Sequence, residues 1–118
     1  MKYLCLIYDE EKTFAAMSKS EIDALMAEYR AFSESIQKSG HYIAGHQLAP
    51  VRAASTVRVR GGRMSATDGP FAETKEQLGG YYLIEAADLN EAMQVASRIP
   101  SARIGSVEVR PLHESHQQ

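Results

Sequence analysis

Two segments of this chain are apolar on both of their alternating sides. In Met1 to Tyr8 one set reads Met1, Tyr3, Cys5, Ile7 and the other Lys2, Leu4, Leu6, Tyr8. In Gly80 to Ala86, Tyr81 and Leu83 fall on one side, Tyr82 and Ile84 on the other. A strand with one wet face alternates apolar with polar, so these two are expected to be covered on both faces. Any fold for this chain must supply two covers.

The rest of the chain supplies one of them. Ser18 and Glu21 form a capping-box pair, after which Ile22, Leu25, Met26, Tyr29, Phe32 and Ile36 recur at helical spacing until Gly40. A second helix is expected from Asp88, with Glu91 as its box partner, Leu89, Ala92, Val95, Ala96 and Ile99 on its buried side, and Pro100 as its stop. Between the helices lie a short strand, His41 to Leu48, and a hairpin, Thr56 to Arg60 and Arg63 to Thr67, turned at Gly61-Gly62. Asp9 to Thr13 reads as an acidic loop, and Val107 with Val109 marks a last strand.

The order β–α–β–hairpin–β–α–β predicts an α+β fold: a ferredoxin-like antiparallel sheet with two helices on one face and an extra β-hairpin. Two helices cover one sheet face, and the simplest cover for the other is a second copy of the chain. The expectation is a homodimer packed sheet to sheet, in a dimeric α/β-barrel type of assembly. With 118 residues there is room for one domain, expected over 1–112, and a polar tail over 113–118.

Composition excludes several functions. Net charge is −2 with both signs interspersed, which gives no electrostatic case for direct nucleic-acid binding. The single cysteine, Cys5, cannot form an intramolecular disulfide and suits a reducing compartment. No segment has the roughly 20 apolar residues of a membrane span, and no signal-peptide pattern opens the chain. A cytoplasmic protein is expected. The four histidines do not converge: His41 and His46 are expected to point to opposite faces of a strand, and His113 and His116 lie in the tail. No metal site and no cofactor are predicted.

The run from Asp68 to Glu85, DGPFAETKEQLGGYYLIE, carries most of the residues suited to chemistry. Pro70 restricts itself and Gly69, so Asp68 sits at a rigid corner beside Phe71. Two readings of that corner stand. Asp68 is a general base or ligand acceptor with Phe71 as an apolar wall, or Asp68 ties an Asx-turn and Phe71 plugs the end of the core. Lys75 is either a clamp for an anionic substrate or a solvated loop charge. Gly79-Gly80 marks a bulge or a close backbone approach. Arg58 and Arg60 share a hairpin face that either binds an anion or guards a strand edge. His46 is an acid–base candidate because its ordinary pKa lies near neutrality, and Tyr8 is a second polar partner. Cys5 between two leucines reads as a small buried hydrophobe.

Taken with ADLNEAMQVASRIP, GSVEVRPL, the opening MKYLCLIYDE and the TVRV hairpin, this run resembles the DGPF family of bacterial proteins, within the YciI-related (YCII) superfamily. The resemblance covers nearly the whole chain up to Leu112. It implies a ferredoxin-like fold and a dimer, similar to small dimeric α/β-barrel enzymes such as the muconolactone isomerase-like ones. Some YciI relatives carry a proposed histidine–aspartate pair with the histidine in the first helix. This chain has no histidine between Met1 and Gly40, and helix spacing puts Tyr29 near that position, so the pair does not carry over. Asp68 is the carboxylate that matches the family motif.

Function divides three ways. One is a small dimeric enzyme of unknown reaction, with Asp68 as base, His46 or Tyr8 as partner, and a small anionic or ring-containing ligand. The alternative is a non-catalytic ligand- or partner-binding module that works through Arg58 and Arg60 or the 71–78 loop. A regulatory context for it is implied by the sigma-factor association of some DGPF relatives. The third is an interaction domain whose special residues only build the dimer.

Overall fold

The computed structural model describes residues 1–113. Six strands and three helices follow in the order β1 (Lys2–Asp9), α1 (Glu11–Ala15), α2 (Lys19–Lys38), β2 (Tyr42–Gln47), β3 (Ser55–Arg60), β4 (Arg63–Asp68), β5 (Gln77–Glu85), α3 (Leu89–Ala96) and β6 (Ser106–Pro111). Short 3-10 turns lie at Val51–Ala53 and Pro100–Arg103. Four strands form one antiparallel sheet in the order β2-β5-β1-β6, while β3 and β4 form a separate two-stranded sheet. The main sheet follows the ferredoxin-like path, with the β3–β4 arm inserted between its second and third strands.

Alternation decides what each strand buries. Tyr3, Cys5, Ile7 and Asp9 of β1 face the helices and are all buried, as are Tyr82 and Ile84 of β5. Phe32 and Ile36 of α2 and Ala92, Val95 and Ala96 of α3 complete the core from above. The Phe32 ring meets Tyr82 edge-on at 5.2 Å, a favoured aromatic geometry. On the other sheet face Leu4 pairs with Leu83 and Leu6 with Tyr81, all half-buried, and among the described residues both long helices lie on the opposite side.

Local signals explain most of the boundaries. The α2 capping box is complete: Ser18 Oγ accepts from the Glu21 amide, and Glu21 Oε1 accepts from the Ser18 amide at 2.8 Å. Gly61 and Gly62 adopt φ 57° and 75°, the left-handed pair a type I′ hairpin turn demands.

Three expectations need correction. Of the expected acidic loop from Asp9 to Thr13, Asp9 ends β1 and Glu11 to Thr13 begin the short helix α1, whose Glu11 amide bonds Gln77 Oε1 at 3.0 Å. Five residues are too few to show a period, and the tie comes from a residue far along the chain. The second helix ends at Ala96, and Pro100 begins a 3-10 turn rather than stopping the helix. The strand expected from Gly80 starts at Gln77, so Gly79-Gly80 lies inside β5, where Gly79 is the unpaired residue of the expected bulge, opposite Ile7 and Tyr8. The expected tail falls outside the described residues beyond His113.

Gly45 in β2 is required by packing, because a β-carbon there would sit 2.7 Å from Tyr82 Cδ1. Gly45→Ala must displace that ring from its packed position. We expect a loss of roughly 1–3 kcal/mol, the usual range for overpacking, read by urea denaturation.

Candidate functional site

The bulge at Gly79 and the turn at Pro100 have one result in common: polar groups at the inner end of the core. Asp9 ends the buried set of β1 and is 8% exposed. Ser101, held in the 3-10 turn and 1% exposed, lies beside the Asp9 carboxyl and favours its charged form. Tyr29, one turn before Phe32 on α2, places its hydroxyl 2.5 Å from Ser101 Oγ. Either hydroxyl can be the donor in the Tyr29–Ser101 bond. The three groups form one buried polar cluster.

Burial pushes the Asp9 carboxyl above its ordinary 3.8; the Ser101 side chain opposes this, and nearby Glu76 and Glu11 add to it. Tyr29 is also raised, first by burial and then by the Asp9 charge, against the pull of its bond to Ser101. A carboxyl raised toward the working pH is better matched to proton transfer than an ordinary surface acid.

This cluster borders a cavity of about 690 Å³. Ile7 and Asp9 contribute from β1, Phe14 from α1, Ile22, Met26 and Tyr29 from α2, and Tyr42 and His46 from β2. Lys12 and Arg52 add positive charge to the lining, beside Glu11. Glu11 is committed elsewhere, since its Oε2 accepts from the Val51 amide at 2.9 Å and so ties α1 to the turn that precedes the arm. The wall is mainly apolar and aromatic with a few converging polar groups, the make-up of a small-molecule site.

Of the candidate catalytic and ligand-binding residues, His46 alone lines this cavity, with Nδ1 2.9 Å from the Tyr81 hydroxyl; Tyr29, placed by helix spacing near the relatives' histidine, and Gly79-Gly80 line it too. Asp68 ends β4, exposed and outside it. Its corner is tied by the Gly69 amide donating to Ala54 O at 2.8 Å and by the Thr56 hydroxyl donating to Gly69 O at 3.0 Å. Phe71 is 78% exposed, so it does not plug the core; the Arg58 guanidinium lies 5.5 Å from its ring centre. Lys75 lies 3.9 Å from Glu10, Arg60 donates to its neighbour's carbonyl at Val59, and Tyr8 sits on the open sheet face. Buried Cys5 is pushed up to about 11 by desolvation, which makes it a poor nucleophile. Among the described residues no three His, Cys, Asp or Glu side chains group as metal ligands, and no helix is long and apolar enough to cross a membrane.

The sequence contained one signal for the missed residue. The inward set of β1, Tyr3, Cys5 and Ile7, runs on by two to Asp9, so the same alternation that buries the tyrosine buries a carboxylate. Ser101 had no comparable signal, since its partners lie 72 and 92 positions away in sequence.

Comparison with known proteins agrees with this architecture. The chain matches the YCII-related domain over residues 1–115. It belongs to the YCII-related family. An uncharacterized protein of Rhizobium meliloti (strain 1021) is 41% identical over 114 residues, which span 95% of this chain and 92% of that one. The fold is similar to that of 5-chloro-2-hydroxyhydroquinone dehydrochlorinase from Burkholderia phenoliruptrix AC1100, solved in complex with 2,5-dihydroxybenzoquinone. That match has a TM-score of 0.57 and covers 99% of this chain and 98% of that one, at 15% identity. At that identity the likeness concerns the fold of this YCII-related chain.

Two substitutions separate the roles of the cluster. Because the folded protein holds the Asp9 proton more tightly than the unfolded chain, the stability from Asp9 is full below 3.8 and is lost as pH rises through its raised folded value. Asp9→Asn removes this penalty. It is expected to raise the melting temperature at pH 7 by about 4 °C, the response of a chain this size to roughly 1 kcal/mol, with the gain vanishing near pH 3.5. Ser101→Ala leaves Asp9 and Tyr29 without their shared partner and is expected to cost about 1–3 kcal/mol in urea denaturation.

Proposed function

We propose that this YCII-related protein, of the branch marked by the DGPF motif at Asp68, is an enzyme that moves a proton on a small ring-containing substrate. Asp9 is the general base and acid. One observation carries the reading: a buried carboxyl with a raised pKa, bordering an aromatic-lined cavity, backed by Ser101 and Tyr29. A ring inserted between Phe14, Met26, Tyr29 and Tyr42 would present an acidic hydroxyl or C–H to Asp9. The carboxylate takes that proton and the substrate keeps the electron pair, which is delocalised into the ring or expels a leaving group. Asp9 then returns the proton to product or solvent. Lys12 and Arg52 suit an anionic substituent.

The ring class draws support from the dehydrochlorinase of the same fold, whose bound molecule is a dihydroxylated quinone. A cytoplasmic homodimer packed sheet to sheet belongs to the same proposal. The uncovered row of Leu4, Leu6, Tyr81 and Leu83 supports that packing.

A melting-temperature screen with 2,5-dihydroxybenzoquinone and hydroxylated benzoates, followed by turnover assays on the hits, tests the site. The wild type should be stabilised by at least one ring compound, and Asp9→Asn should lower turnover by about 10²–10⁴-fold. Binding that saturates without turnover would favour a non-catalytic binding module. Turnover unchanged in Asp9→Asn would end the catalytic assignment. Light scattering at micromolar protein should give twice the mass of one chain, and the mass of a single chain would remove the dimer.

A further inference from the structure

The β3–β4 arm does not belong to the body of the fold. It pairs only with itself, and its cross-strand partners divide its two faces by chemistry. Val57 lies opposite Ala66 and Val59 opposite Met64, which makes one face apolar above its base, where Ser55 opposes Asp68. Thr56, Arg58 and Arg60 oppose Thr67, Ser65 and Arg63 on the other. The apolar face is bare, with Val57 59%, Val59 60% and Met64 70% exposed. A lone two-stranded hairpin is marginal in water, and here the like-charged pair Arg60 and Arg63 weakens its tip further. The arm also makes the chain less compact than a single domain should be. Its radius of gyration is 16.3 Å, against about 13 Å for a compact domain of this length.

We propose that the apolar face of this arm is an interaction surface whose occupant is a second copy of the chain. This rests on the sheet-to-sheet dimer proposed above and adds to it. Area supports the choice of occupant. The open face of the four-stranded sheet measures roughly 19 Å by 23 Å in plan, about 450 Å². A stable dimer covers about 800 Å² on each partner, so the sheet face alone falls short. The arm, roughly 10 Å by 20 Å, adds a second β layer whose outer half is aliphatic, with Asp68 only at its base. The aliphatic outer half of the arm and the Leu4, Leu6, Tyr81 and Leu83 row, beside which Glu108 and Arg110 pair with each other, can cover each other across a twofold axis, where each protomer gives its arm and receives its partner's.

The test uses the full chain with lysines at two arm positions, Val59→Lys and Met64→Lys. Because the arm forms no ladder with the main sheet, the double variant should keep the circular dichroism of the wild type. Sedimentation equilibrium should show dimer dissociation at least 100-fold weaker than wild type, while the control Arg58→Ser on the polar face changes it less than threefold. Hydrogen exchange gives a second readout that needs no variant: amides of 55–68 should gain protection as protein concentration rises through the dimer range. An unchanged dimer in the double variant, or arm amides unprotected at every concentration, would overturn the arm's role and leave the sheet-face dimer standing. A wild type monomeric throughout would remove the dimer itself, and arm protection in that monomer would mean that the arm is stable alone.

Discussion

The buried side of β1 is the constraint on which the other parts depend. The strand lies between β5 and β6, so its backbone is bonded along both edges, while Tyr3, Cys5 and Ile7 fill the space beneath both long helices. Those contacts leave the strand no freedom of register, since a slip of one residue would exchange Cys5 and Ile7 for Leu4 and Leu6. Asp9 is the last residue of that locked series. Its burial is therefore imposed by the hydrophobic residues before it, and the energy that holds a carboxyl out of water comes from the core.

This accounts for the position of the cavity. A ferredoxin-like sheet gives its helices one face to cover, but α3 has eight residues and α2 has twenty, so the cover over the sheet is unequal. Near the end of β1 the lining passes to α1, to the segment after β2 and to the side of α2 that carries Ile22 and Met26. Tyr29 and Tyr82 each satisfy their hydroxyl on a serine, Ser101 and Ser33, which allows aromatic bulk and polar tips to share the same wall.

The sheet and both long helices were legible in the residues because their information is local. Alternation gave β1 and β5, Ser18 with Glu21 gave the start of α2, and Gly61-Gly62 gave the arm. The site was less legible because its information is distant. Asp68 stood out from its neighbours, being next to glycine and proline, yet those neighbours shape a turn outside the cavity. Asp9 and Ser101 look ordinary in their own segments and acquire a role only when β1 and the Pro100 turn meet. Short-range pattern finds unusual backbone, whereas chemistry here depends on pairs separated by most of the chain. His46 was accessible to both approaches, since it sits on an edge strand that also borders the cavity.

The bulge in β5 acts as a parity switch for the start of that strand. Because Gly79 is passed over in the pairing, Gln77 lies opposite Asp9 and Leu78 opposite Tyr8. Gln77 thus shares the inner face, where its carbonyl oxygen takes the Glu11 amide and its amide nitrogen holds Thr74 and Lys75. In a ladder without the extra residue, the same two neighbours would trade sides. A leucine would then press on the buried carboxyl, and the glutamine anchoring α1 would turn to the opposite face. One unpaired glycine therefore determines whether the polar end of this core meets an amide or a hydrocarbon.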